Sequence, residues 1–263
     1  MDAFWAAPPI IRTITAATLV TSLLVYSYIL PAYYVVLFWP RIIKLFPEIW
    51  RFFTSFLLTG PQLGILFDPY FMYTYGSALE SKSARFSRTS DFFTYVVFVW
   101  AVILATASGI FGGMVFTQAF TVALAYTYSQ ENRGQKVRFF IVTIPVQFLP
   151  FTILGMTLVM AGPDAAMTQA SGLIAAHLYE FLTKIYPEFG GGRNFIQTPQ
   201  VFRRWLDSSS RGPTTRAYGT AFGSGASRGA SDTSRGSSSG ISTGFGLSNL
   251  WNGRGRGQRL GGE

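Results

Sequence analysis

From Phe92 to Gln130 the chain runs for 39 residues without a charged side chain. That is about twice the length of apolar helix needed to cross the hydrocarbon core of a bilayer. It is too long for one span. Gly109, Gly112 and Gly113 lie near its middle, so the run reads as two helices joined by a very tight turn. Composition points the same way. Only 13% of the residues are charged and 49% are hydrophobic, against about 25% charged in a soluble domain. The chain has no Cys, which excludes disulfides, thiolate chemistry and Cys metal sites. Its single His, His177, excludes a multi-His metal site, and neither a metal nor a cofactor is expected.

The remaining spans fall around that run. Thr13 to Leu30 carries no charge, follows Arg12 and ends at Pro31, so it reads as a retained span and not as a cleaved signal. Phe52 to Tyr75 is a second and less regular span, broken by Gly60-Pro61, with Asp68-Pro69 well inside it. A carboxylate at that depth is expected to face protein interior or water. Phe139 to Gly162 is the fifth span, with Pro145 and Pro150 inside it, and Ala165 to Tyr186 is the sixth. The expected fold is an all-α polytopic membrane protein, a six-helix bundle with a large first loop. Its parts are an N-terminal segment 1–12, a membrane domain 13–186, a juxtamembrane segment 187–207 and a tail 208–263.

The first loop is the most informative connection. Tyr33 to Ile49 mixes aromatics with Pro40, Arg41, Lys44, Pro47 and Glu48, too polar to span and suited to the interface. Trp50 and Arg51 follow. A Trp at a membrane edge keeps its ring in apolar surroundings and its N–H at the polar boundary, and an adjacent Arg snorkels its head into water. An ordinary interfacial anchor at a helix end has the same residues.

Lys and Arg set the orientation. The loops after spans two and four and the tail after span six are basic, whereas the turns near Gly112 and Asp164 carry no Lys or Arg. Both termini are therefore expected in the cytosol. Arg41, Lys44 and Arg51 oppose this unless the first loop is held at the membrane. In the tail, 26 of the last 56 residues are Gly or Ser. Such a segment buries too little apolar surface to fold and serves as a flexible tether. Its Arg-Gly steps with few aromatics read as a solvated basic tail, and no nucleic-acid partner is expected. Thr198 to Asp207 reads either as a short basic amphipathic helix or as a linker.

Proteolysis inside the membrane requires a Ser and a His on facing helices. His177 is on span six, but span four reads Gly113-Met114-Val115-Phe116-Thr117-Gln118 and offers no Ser. Ser108 belongs to the end of span three, and Ser171 shares the helix of His177. His177, Glu180 and Lys184 are spaced to form one polar network. On the same span Gly172 and Ala176 have the small-xxx-small spacing that lets two helix backbones approach closely.

Taken together, six spans, the Trp50-Arg51 loop, Thr117-Gln118-Ala119-Phe120-Thr121 on span four and Gly172…Ala176-His177 on span six resemble the Derlin family of rhomboid-like pseudoproteases of the endoplasmic reticulum. Pro61, Thr89-Ser90-Asp91-Phe92, Gly190-Gly191-Gly192 and Thr198-Pro199 add to the likeness, which covers residues 8 to 207. Ala176 departs from the family's Gly-x-x-x-Gly. The terminal Gly255-Arg256-Gly257-Gln258-Arg259-Leu260-Gly261-Gly262 is similar to the motif by which some Derlins bind the AAA ATPase valosin-containing protein. Gly255, Gly257, Gln258, Leu260 and Gly261 would make that contact, with Arg254 where an aromatic is usual.

The resemblance implies a rhomboid-like fold and a non-catalytic role in endoplasmic-reticulum-associated degradation. Its partners would be misfolded client proteins, a ubiquitin-ligase complex, the AAA ATPase, the bilayer and further copies or relatives in an oligomer. Short, broken helices would thin the bilayer locally. Asp68, Gln118, Gln147 and His177 would line a wet groove that lowers the cost of moving polar chain through lipid. Two other classes stay open, an active intramembrane serine protease and a small-molecule transporter. The first lacks its Ser, and the second should show a repeat between halves that is not evident here.

Overall fold

The computed structural model describes residues 7–42, 48–139, 142–189 and 196–207. Six long helices carry the fold. They are α1 (Pro9–Tyr26), α2 (Gly64–Lys82), α3 (Thr89–Ile103), α4 (Thr117–Glu131), α5 (Leu149–Ala161) and α6 (Pro163–Glu180). A π-helical segment extends α3 through Leu104–Ser108, and another extends α6 through Phe181–Ile185. A short helix, α7 (Gln200–Leu206), follows. The tail 208–263, with the whole terminal motif, lies outside the described residues, as do Lys44 and Gly190 to Gly192.

The centre of the bundle is α4. Its principal neighbours are α6 and α2, and α5 and α3 also pack on it. Ten of its fifteen residues are buried, four of them Thr or Ser. A helix surrounded by helices meets no lipid, so it needs no apolar face. It needs small residues that let neighbours come close, and Ala119, Ala123 and Ala125 supply them. The outer helices carry the lipid-facing apolar surface, with Leu23 on α1, Leu66 on α2 and Val159 on α5 exposed. Pro9–Tyr26 and Thr89–Ser108 are long and apolar enough to cross a bilayer, and Val146–Ala161 is apolar but shorter.

Ionic and polar contacts bring one end of the bundle together. The first turn of α1 donates the Ile10 and Ile11 backbone N–H groups to the Glu80 carboxylate at 3.0 and 2.8 Å. An N-terminal turn lacks backbone acceptors, and a distant carboxylate satisfies it here. In the turn after α2, Ser83 donates to Glu131 at the end of α4 at 2.7 Å. The start of α3 holds the strap that leads into α7. Thr198 donates to Asp91 at 2.6 Å, Ser90 donates to Asp207 at 3.0 Å, and the Phe93 and Phe202 rings meet edge to face. The start of α1, the basic turns after α2 and α4, and the strap therefore share one end. At the other end Gly113 sits against Thr168 of α6, and a single residue, Gly162 at φ +90°, joins α5 to α6.

Two of the expected spans start elsewhere. The second helix begins at Gly64, because Gly60-Pro61 and Gln62, at φ +56°, interrupt the chain before it. Asp68 consequently lies near the beginning of α2. The fifth helix begins at Leu149, because the preceding residues form an antiparallel hairpin, β1 (Lys136–Phe139) with β2 (Val142–Pro145). Pro145 has no N–H to continue a helix and ends the strand instead. That hairpin is the one departure from an all-helical fold among the described residues.

Candidate functional site

The described part of the first loop is a packed element, and Arg51 is its centre. Its side chain is fully buried, whereas neighbouring Trp50 is half exposed. The guanidinium does not snorkel to water. It turns inward and ties three parts of the loop together. Nε donates to Glu48 at 2.6 Å, and Nη1 donates to the Tyr33 and Val36 carbonyls at 2.5 and 2.7 Å. Its face also lies 5.1 Å from the Tyr33 ring centroid. Arg41 reaches the same Glu48 carboxylate at 3.3 Å. The hydrogen bond from Arg51 holds the Glu48 carboxyl below its ordinary value. A lowered carboxyl contributes its stability above the ordinary range and loses it as pH falls through the lowered value, so the clasp is complete at neutral pH.

Hydroxyl groups then fasten the loop to the helices. Thr54 donates to the Val35 carbonyl at 2.9 Å, and Thr117, the first residue of α4, donates to the Leu58 carbonyl at 2.6 Å. Tyr26 of α1 donates to the Thr59 carbonyl at 2.7 Å, and Ser22 accepts from the Thr59 backbone at 3.1 Å. In a membrane such bonds replace water for backbone that is neither helix nor strand. Phe56 stacks on Trp100 of α3 with centroids 4.6 Å apart, which seats the loop's apolar side on the bundle.

The polar residues sort into separate places. Asp68 accepts from the Gly60 backbone N–H at 3.1 Å and from the Gln118 side chain, so Asp68 and Gln118 close the end of the first loop against α4. Gln147 is exposed before α5. His177 is exposed on α6, and its Nδ1 lies 2.8 Å from the Tyr126 hydroxyl of α4. Glu180 and Lys184, expected beside it, instead line a cavity at the end of the bundle. The Ser108 hydroxyl donates to the Leu104 carbonyl of its own helix and Ser171 to that of Thr168.

At the α4–α6 contact a Cβ built on Gly172 would fall 1.8 Å from the Ala119 carbonyl oxygen. Ala176, one turn on, is buried at the same face. No side chain of any size fits at Gly172 without moving one of the two helix backbones.

Sequence comparison places these features in a known group. The model of the Der1-like family matches residues 7–200, which runs from the start of α1 through the strap. The chain belongs to the Der1-like family. Among curated relatives, Derlin-1 of Mus musculus is 33% identical over 217 residues, covering 80% of this chain and 84% of the relative. Derlin-1 of Homo sapiens is 32% identical over the same shares. Derlin-1.2 of Zea mays is 29% identical over 197 residues, or 73% of this chain and 79% of that protein. This Der1-like chain is thus a mostly helical membrane protein in which the first loop is clasped by Arg51 and the core is closed at Gly172. Local sequence gave a partial signal for the clasp, Glu48 three residues before Arg51. It gave none for Tyr33, Val36, Ser22 or Tyr26, whose bonds join positions 15 to 37 residues apart.

Proposed function

We propose that this Der1-like protein is a non-catalytic component of endoplasmic-reticulum-associated degradation. It assists the passage of misfolded proteins to the cytosol and recruits a cytosolic AAA ATPase through its C-terminal tip. The observation that carries the degradation role is the family match over residues 7–200, and recruitment rests on the likeness of residues 255–262 to an ATPase-binding motif. Its mechanism is a lowered barrier. Thirteen residues of α5, a helix on the outside of the bundle, make about 20 Å, against about 30 Å of hydrocarbon. Lipid thins around such an element. The clasped first loop supplies satisfied, non-helical backbone beside it, so polar chain can pass without stranding many unpaired groups.

The non-enzymatic part of the reading rests on His177 and α4. The His177 ring is engaged by Tyr126, and the first turn of α4 presents Thr117, whose hydroxyl is given to Leu58. A nucleophile needs a base within hydrogen-bond reach; Thr117 gives its hydroxyl to a carbonyl, and the hydroxyl at His177 is a Tyr phenol and not a Ser.

Both termini are placed in the cytosol in this reading, with the basic turns at one end of the bundle. A glycosylation acceptor inserted near Asp164 is expected to be modified, and one near Ser83 is not. The reverse pattern would overturn the topology. Recruitment is tested by removing the tip. Truncation after Ser248 is expected to abolish co-purification of the ATPase while leaving membrane insertion intact. Leu260→Ala with Gly257→Ala is expected to weaken it comparably, since an apolar anchor and a freely turning backbone position are both lost. The tether keeps the bound ATPase at high effective concentration near the membrane. Full-yield co-purification with both variants would assign recruitment to another segment.

A further inference from the structure

At the end of the bundle that carries the basic turns, the protein has an open cavity of about 1160 Å³. Its walls are the last turns of α2, α4 and α6, the turn after α2 and the strap leading into α7. Four cations reach it from four elements: Lys82, Arg85, Lys184 and Arg203. Among the described residues the ion pairs are those that Glu48 makes with Arg41 and Arg51, so none of these four is paired. The Nη2 group of Arg85 is closed off from solvent and has no hydrogen-bond partner among the described residues, so the side chain turns to bring that atom to a ligand in the cavity. A buried guanidinium donor left unmet is destabilising, and a phosphate or carboxylate satisfies it best.

None of the cavity's carboxylates lies within ion-pair distance of these cations among the described residues, although Arg85 acts on Glu131 through space. Asp91 is taken by the Thr198 hydroxyl and Glu131 by the Ser83 hydroxyl. Glu180 is 8% exposed, accepts no hydrogen bond among the described residues, and acts on Glu131 through space as a like charge. The walls therefore present, among the described residues, four cations without an ion-pair partner and one carboxylate, Glu180, that accepts no hydrogen bond. A ligand that answers both carries a phosphate and a primary ammonium. The volume is far beyond what a bare ion fills. The site also opens where membrane helices end, beside Val201 and Trp205, which are each 72% exposed and four residues apart on α7. Exposed apolar and aromatic side chains at that level belong where headgroups meet acyl chains.

We propose that this cavity binds the headgroup of an aminophospholipid, with the phosphate on Arg85, Lys184 and Arg203 and the ammonium on Glu180. The strap, fixed to α3 through Asp91, Ser90 and Phe93, is then one wall of a lipid site and not merely a linker. The proposal rests on the membrane placement of the bundle, and it stands apart from client handling and ATPase recruitment.

The test uses the full chain in nanodiscs of phosphatidylcholine with and without phosphatidylethanolamine. Choline has no N–H to give to Glu180 and is the matched control. Retained lipid is read by native mass spectrometry, and hydrogen exchange is followed at residues 83–88 and 196–207. Phosphatidylethanolamine is expected to be retained about tenfold over phosphatidylcholine, as one charge-assisted hydrogen bond provides. Arg85→Gln is expected to abolish retention of both. Glu180→Gln is expected to remove the preference for ethanolamine while keeping phosphate binding. Arg203→Gln, a substitution on the exposed face of α7, is expected to weaken retention several-fold and protects the test if Arg85→Gln does not fold. Equal retention of the two lipids by the unaltered protein would overturn the proposal, as would unchanged preference in folded Glu180→Gln. Soluble glycerophosphoethanolamine, added to phosphatidylcholine nanodiscs, separates the sources: protection equal to that from the lipid would overturn the assignment to a membrane headgroup.

Discussion

Gly172→Leu is expected to give a protein that is synthesised but does not assemble, and that is cleared before it accumulates. Overpacking a core with extra methylenes typically costs about 1–3 kcal/mol, because side chains rotate aside and absorb part of the strain. That relief is missing at Gly172. The first added atom, Cβ, would already sit 1.8 Å from the Ala119 carbonyl oxygen and 2.6 Å from its carbon. Only separation of α4 from α6 removes the clash, and that contact is the principal one in the bundle. The penalty is therefore at the upper end of that range or above it, and Gly172→Ala should fail for the same reason. Gly155 on α5 provides the control, since a Cβ there meets nothing within 4 Å. Gly155→Ala should leave abundance and thermal stability in detergent unchanged or slightly raised, as expected where a helical Gly gives way to Ala. Normal abundance and melting of Gly172→Leu would mean that α4 and α6 are not in backbone contact.

Arg51→Ala is expected to unfasten the first loop and to lower stability by about 1–3 kcal/mol, the cost of leaving a buried hydrogen-bonding group without its partner. The truncation leaves Glu48 without its closest cation and strands the Tyr33 and Val36 carbonyls, which Nη1 now satisfies. Arg51→Lys should fall between, because a single ammonium cannot reproduce the fork that reaches Glu48 and two carbonyls together. Trp50→Ala should be far milder, as Trp50 is half exposed. Thermal unfolding of the purified variants and limited proteolysis within the loop measure both effects. Equal melting of Arg51→Ala and the unaltered protein would mean that the guanidinium is only an interfacial anchor. Loss of client degradation with stability retained would give Arg51 a direct part in client handling.

What could be read without coordinates was what lipid demands locally. An uncharged run longer than one span must fold back, and Gly109 to Gly113 mark where. Basic residues collect in the turns at one end. Gly172 with Ala176 announces a close helix approach through side-chain size alone. Each of these is set by residues within a few turns of one another. Helix starts were less legible where apolar composition continued past a break. Residues 52–63 are as apolar as a span, yet the chain there is an irregular segment held by Thr117, Tyr26 and Ser22. Phe139 and residues 142–145 read as helix but belong to two paired strands.

The environment of the polar groups was decided by tertiary structure alone. An Arg next to a Trp reads as snorkelling by its neighbours in sequence, but Arg51 is buried because carbonyls 15 and 18 residues away converge on it. Asp68 and Gln118 meet because α2 and α4 pack together, while His177 is turned to Tyr126. Glu180 and Arg85 come to one cavity from separate helix ends. Apolar residues are placed by a local and non-directional force, so their pattern along the chain foretells where they go. Polar groups in a membrane are placed by directional bonds to partners, and only the folded chain determines which partners come within reach.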